Sequence, residues 1–180
     1  FQHLYPHLDI YLYEEGSMAI REKLERDELD FGIVIISDAS ASLQLLPMSR
    51  NQIMACIPEK HPLAAHQSIS INDIANADLI MLKEGSFLRQ LVLSKIKRAN
   101  IAPEIVLESN QIETVKGLIA SNVGIAFLLD FIAKGAPGIK AVPFDEPLYV
   151  DLGLAWKKDR YISNAAQSFI DFCRTTMQNG

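Results

Sequence analysis

The sequence predicts an α/β protein with parallel sheets, and three observations predict it. Segments with strand-like and helix-like spacing of apolar residues alternate through most of the 180 residues. Some strand-like runs, such as Phe31-Gly32-Ile33-Val34-Ile35-Ile36, are apolar without a break, as expected of strands covered on both faces. The order Ile10-Tyr11-Leu12, helix, Gly32-Ile33 also returns as Ile105-Val106-Leu107, helix, Gly124-Ile125. A duplicated βαβ unit would mean two similar lobes rather than one wide sheet, although two unrelated amphipathic units would match as well.

The elements follow in order. Leu8, Ile10 and Leu12 alternate with Asp9, Tyr11 and Tyr13, which predicts a strand. After the turn Glu14-Glu15-Gly16-Ser17, Ser17 is placed to cap a helix reaching Glu28. The apolar run 31–36 is a strand, and two further strands are expected over 43–46 and 53–57, ahead of a loop bracketed by Pro58 and Pro62. Leu79-Ile80-Met81-Leu82 is a strand and Glu84-Gly85-Ser86 a turn. Residues 87–99 then form a helix with Leu88, Leu91, Val92, Ile96 and Ala99 on one face. Beyond Pro103, 105–107 is a strand. Ile112, Val115, Leu118 and Ile119 mark a helix, and strands follow over 125–129, 139–144 and 148–156. Ser163 caps a final helix with Ala166, Phe169, Ile170, Cys173 and Met177 along one face.

Composition excludes several classes. With 49 % hydrophobic and 22 % charged residues the chain is neither disordered nor fibrous. Seventeen basic against 22 acidic residues, scattered, give a net charge of −5, so these residues are not expected to grip DNA by their own field. No apolar run approaches a membrane span, and the opening Phe1-Gln2-His3-Leu4-Tyr5-Pro6 reads as the inside of a folded domain rather than a signal peptide. Cys56 and Cys173, each in an apolar run, read as reduced core thiols of a cytoplasmic protein.

Catalytic signatures are missing. There is no phosphate loop, G-x-G-x-x-G, H-E-x-x-H or G-x-S-x-G, and neither a cofactor nor an enzymatic activity is expected. His3, His7, His61 and His66 lack the converging partners a metal needs. The most suggestive feature is the turn Glu84-Gly85-Ser86-Phe87-Leu88-Arg89. Lying between a buried strand and a helix, it should present the free N–H groups of Ser86, Phe87 and Leu88 beside a hydroxyl, a site suited to a carboxylate or phosphate. Simple capping by Ser86 would explain the residue equally well. Ser109 and Asn110 repeat the situation before the next helix, and Ser37 follows the buried strand 31–36, where α/β sheets place ligand contacts.

Six segments occur in an order that resembles LysR-type transcriptional regulators. They are Phe1-x-x-Leu4-Tyr5-Pro6-x-Leu8, Leu29-Asp30-Phe31-Gly32-Ile33, His61-Pro62-Leu63-Ala64, Gly85-Ser86-x-Leu88-Arg89, Gly124-Ile125-Ala126 and Ala155-Trp156-Lys157-Lys158-Asp159-Arg160. The similarity is to the C-terminal effector-binding region and covers nearly the whole chain; no one segment is specific, the ordered set is.

The resemblance implies a periplasmic-binding-protein-like (type II) fold of two Rossmann-like lobes joined by two crossing strands, near 54–57 and 152–156. The first lobe would be residues 1–59 plus 153–180, the second 60–152. A small effector, an anion or carboxylate, would sit in the cleft on Gly85, Ser86, Phe87, Ser109 and Asn110, with Ser37 opposite. The partners would be a second subunit, in a homodimer or tetramer, and DNA, the latter only through a winged helix-turn-helix outside these residues. The family's region also opens with a strand and a helix, of which only the end, 1–5, falls within the chain. A transporter's solute-binding protein, or an enzyme on the same fold, is the competing reading. The peroxide-sensing branch carries its cysteine where this chain has Phe87, so peroxide sensing is not expected.

Overall fold

The computed structural model describes residues 1–36 and 41–178. Its contacts divide the chain into two units, Phe1–Ser49 with Asp151–Gly180, and Arg50–Val150. The chain thus changes unit at 49/50 and 150/151, where the sequence placed the changes after 59 and before 153.

In the first unit, α1 (Ser17–Glu25) lies on β1 (Gly32–Ile36) through Ile20 and Leu24. The helix stops three residues short of Glu28: Arg26 caps it, and Asp27 takes a left-handed backbone with φ 59°. Gly16, not Ser17, is the N-cap. The Ser17 hydroxyl instead accepts the Ile35 N–H at 3.1 Å, tying the helix start to the strand. Long strands β2 (Leu43–Pro58) and β6 (Ile139–Lys157) each pass from one unit into the other. Each replaces two shorter predicted strands. Within the first unit β6 pairs antiparallel with β1, Val34 opposite Gly153. Helix α5 (Asn164–Gln178) covers β6 with Ile170 and Cys173 against Leu154 and Trp156.

Two expectations fail in this unit. Residues 8–12 form no strand; Ile10, Tyr11 and Leu12 are exposed, and among the described residues no strand pairs with them. Alternation alone cannot hold a strand whose backbone groups have no ladder partner. Strand β1 is covered on both faces only at Val34 and Ile35; Ile33, its second residue, is 61 % exposed.

The second unit carries the parallel pairing that the sequence predicted. Strand β3 (Leu79–Met81) runs into helix α2 (Phe87–Arg98), and β4 (Ile105–Glu108) lies parallel to β3 with Met81 beside Glu108. Helix α3 (Ile112–Ala120), strand β5 (Ala126–Leu129) and the single turn α4 (Asp130–Ala133) follow. β5 pairs antiparallel with β2, Ala55 opposite Phe127, so the sheets are mixed rather than purely parallel. The core gathers Cys56, Ile80, Val115, Ile119, Ala126 and Leu128, all at most 1 % exposed. At the seam, Ile125 donates to the Asp78 carbonyl at 2.8 Å and its own carbonyl accepts from Ile80 at 2.9 Å. A Cβ on Gly124 would stand 2.6 Å from that Asp78 oxygen, so only glycine lets the strands approach this closely.

Candidate functional site

Parallel strands β3 and β4 end side by side, and the turns beyond them are joined by hydrogen bonds. The first turn, after β3, holds Gly85 at φ 85°, a backbone that glycine adopts without strain. Ser86 is the N-cap of α2 in extended backbone, and its hydroxyl accepts the Arg89 N–H at 3.4 Å. It is one of two buried polar residues in the described chain, 8 % exposed. Capping uses the oxygen as acceptor and leaves the hydroxyl proton to donate elsewhere.

The free-amide expectation needs one correction. The Ser86 N–H is not free: it donates to the Lys83 carbonyl at 3.3 Å, closing the turn on itself. Phe87 and Leu88, the first two helical residues, have N–H groups with no carbonyl one turn back to receive them. The twelve-residue helix adds its positive dipole end here, and Lys95, Lys97 and Arg98 balance the other end.

The second turn, after β4, works differently from the expectation. Helix α3 starts one step later, with Gln111 as N-cap and no side-chain cap bond. Ser109 donates its N–H to the Met81 carbonyl at 3.0 Å, and its hydroxyl accepts from the Gln111 N–H at 3.1 Å. Asn110 spends its side-chain carbonyl on the Lys83 N–H at 2.9 Å. Both residues therefore brace the first turn, Asn110 through the side chain and Ser109 through the main chain. The Asn110 amide N–H2 remains a donor.

A residue that sequence reasoning missed completes the brace. Arg89 Nη1 lies 2.7 Å from the Leu82 carbonyl and 2.6 Å from Glu108 Oε1, its side chain only 13 % exposed. It locks the first turn of α2 to the ends of β3 and β4. Arg89 appeared only as part of a motif, and its partner, 19 residues away, gave no local signal. Ser37 lies outside the described residues.

Other chemistry is sparse. Burial pushes the Cys56 thiol up to about 12, the main-chain contact at Leu128 and the charge of Lys116 opposing only weakly; Cys173 is raised by burial too. Both cysteines are free and buried. No group of metal-ligating side chains gathers among the described residues, and His61 serves instead to cap a turn, accepting the Leu63 N–H at 3.2 Å. No helix among the described residues is long and apolar enough to cross a membrane.

Comparison with known proteins identifies the family. The family model described as the LysR substrate binding domain matches residues 1–178. The "uncharacterized HTH-type transcriptional regulator YybE" of Bacillus subtilis is 30 % identical over 170 residues, spanning 94 % of this chain and 58 % of that protein. The "transcriptional dual regulator GltC" of the same organism is 23 % identical, spanning 96 % and 59 %. The chain thus spans somewhat over half the length of these relatives. Among solved structures, the Synechocystis PCC6803 CcmR regulatory domain in complex with 2-PG superposes with a TM-score of 0.89 at 25 % identity, over 99 % of this chain and 88 % of that one. The effector binding domain of QuiR in complex with shikimate gives 0.84 at 25 % identity, over 99 % and 87 %.

Proposed function

The chain belongs to the LysR substrate-binding domain family, and from that premise we propose that it senses a small anionic effector for a bacterial transcription regulator and does no chemistry itself. The observation that carries the reading is the braced pair of turns at the ends of β3 and β4. Open α/β sheets bind ligands beyond the carboxyl ends of their strands. Here that position offers the Phe87 and Leu88 amides, a buried serine hydroxyl and a helix dipole of the right sign. Shikimate, the ligand of one structural neighbour, is a carboxylate.

In this reading Ser86, Phe87 and Gly85 hold the effector's charge, the Asn110 amide reaches its other polar atoms, and Ser109 acts by positioning. The relatives are transcription regulators rather than transporter components, which favours sensing over solute delivery and cytoplasmic location over export. The working protein is a homodimer or tetramer that reaches DNA through a winged helix-turn-helix outside these residues. An effector shifts it only by binding one subunit arrangement more tightly than another.

The experiment measures effector affinity and unfolding midpoint on one Ser86→Ala variant. A hydrogen bond to a charged group is worth about 1.5–3 kcal/mol, or roughly ten- to hundredfold in affinity. A lost cap costs about 1 kcal/mol of stability. Affinity within about twofold of the parent, with a lowered midpoint, would reduce Ser86 to a cap.

A further inference from the structure

Resting on the anion site at the start of α2, we propose that Phe131 is a specificity-determining residue of the same site. Its ring is the wall for the uncharged, ring-sized body of an effector that carries one carboxylate at its other end.

The topology of the second unit brings Phe131 to this edge. Leu79 lies beside Ile125 in parallel register, so β5 leaves the sheet at the same edge as β3 and β4. Open α/β sheets bind their ligands beyond that edge. Two residues on in the same register, Met81 stands beside Phe127, with neighbouring strands about 4.8 Å apart. Packing agrees: Phe127 and Leu128 line a void of about 10 Å3 together with Leu82, Leu88 and Arg89 from the start of α2. The start of α4, Asp130 and Phe131, is therefore a third turn next to that of Ser86.

Within this turn Phe131 faces outward. Leu129 is 7 % exposed and Ala133 3 %, whereas Phe131 is 58 % exposed, the most exposed large apolar side chain described in the second unit. Two helical positions span about 200°, so burying Ala133 turns Phe131 away from the core. Asp130 fixes the turn by accepting the Phe131 N–H on its own Oδ1 at 2.8 Å. A lone exposed phenylalanine is ordinary elsewhere on a surface. At the ligand edge it supplies an aromatic face that a bound ring can cover.

Charge limits the effector to one anionic group. Lys83 and Arg89 are matched by Glu84 and Glu108, and Arg89 is spent on Glu108 at 2.6 Å and on the Leu82 carbonyl at 2.7 Å. The helix end adds only about half a positive charge, enough for one carboxylate. A second anionic group reaching the third turn would meet the Asp130 carboxylate. An apolar ring there meets Phe131 instead.

The test titrates the full-length regulator with benzoate, cyclohexanecarboxylate, acetate and phthalate while the Phe87, Leu88 and Phe131 amides are followed. The two ring monocarboxylates should shift all three amides and bind roughly fivefold or more tightly than acetate. Phthalate, with its second charge, should bind more weakly than benzoate. Phe131→Ala should erase most of the advantage of the ring acids over acetate, and Phe131→Leu should keep part of it. Both variants should unfold near the parent midpoint, because the side chain is exposed. Shifts at Phe87 and Leu88 without that advantage, or an advantage that survives Phe131→Ala, would overturn the role of Phe131 and leave the anion site standing. Phthalate binding more tightly than benzoate would overturn the single charge. Phe87 and Leu88 amides unmoved by every acid would remove the anion site itself, and this proposal with it.

Discussion

The side-chain carbonyl of Asn110 accepts the backbone N–H of Lys83 at 2.9 Å, so the turn after β4 holds the turn after β3 in place. The contact spans 27 residues of sequence and is exposed to solvent. Asn110→Ala should therefore cost only about 0.5–1.5 kcal/mol, because water can replace the lost acceptor. Its clearer mark is local: hydrogen exchange at the Lys83 amide should quicken, while the Ser109 amide, bonded to Met81, keeps its protection. Unchanged exchange at Lys83 would show that Asn110 does not hold the turn.

Arg89 should matter more than its acidic partner. Arg89→Met removes both the bond to the Leu82 carbonyl and the pair with Glu108, which should cost about 1–3 kcal/mol in a side chain this buried. Glu108→Gln leaves the carbonyl bond intact and is 41 % exposed, so its cost should stay under about 1 kcal/mol. Urea unfolding of both variants checks the order, and equal losses would contradict it.

Gly124→Ala tests the seam of the second unit. The added methyl would press on the Asp78 carbonyl that Ile125 bonds, so the strands must part or shift. The expected loss is about 1–3 kcal/mol in the urea midpoint. Gly117→Ala, where a new Cβ meets nothing within 4 Å, is the control and should not destabilise.

Cys56 predicts a pH dependence with a definite sign. Its folded value of about 12 lies above the ordinary 9.0, so the unfolded chain releases this proton first as pH rises. Between these values the unfolded state binds fewer protons, and stability falls by about 1.4 kcal/mol per pH unit from this group. The contribution is intact below pH 9 and is lost as pH climbs toward 12. A Cys56→Ala variant should lose stability less steeply than the parent from pH 9 upward. Parallel curves would mean the thiol is not held neutral by burial. The same raised value should make Cys56 slow to alkylate or oxidise in the folded protein, since the thiolate is the reactive form.

What could be read from the sequence was what local chemistry determines. Ser86 stands directly before a periodic apolar stretch, and it caps α2 as a serine there should. The strand-helix order from Leu79 to Leu129 followed for the same reason. The sequence splits each long strand in two, with the polar stretches Ser49-Arg50-Asn51-Gln52 and Asp145-Glu146-Pro147 between the halves. In the fold those polar stretches continue the strands, and Arg50 lies over the Tyr149 ring at 4.6 Å. Pairing between distant strands overrode the local pattern. The opposite error occurred at 8–12, where the alternation was correct but the partner that makes a strand was absent from the described residues. In the candidate site, Ser86 was visible as a single residue. The bonds of Asn110 to Lys83 and of Arg89 to Glu108 were not, because they exist only once β3 and β4 lie side by side.

One titration tests directly whether an anionic group sits on the start of α2. Backbone amide resonances of the full-length regulator are followed while a cognate effector, found by screening small carboxylates and phosphates, is added; its neutral ester or amide is then titrated in parallel. With the anion on the helix start, the largest shifts should fall on Phe87 and Leu88, whose N–H groups lack helical partners. The neutral form should bind roughly tenfold or more weakly, the loss of one charged hydrogen bond. Equal affinity for the charged and neutral forms, with the Phe87 and Leu88 amides unmoved, would contradict it.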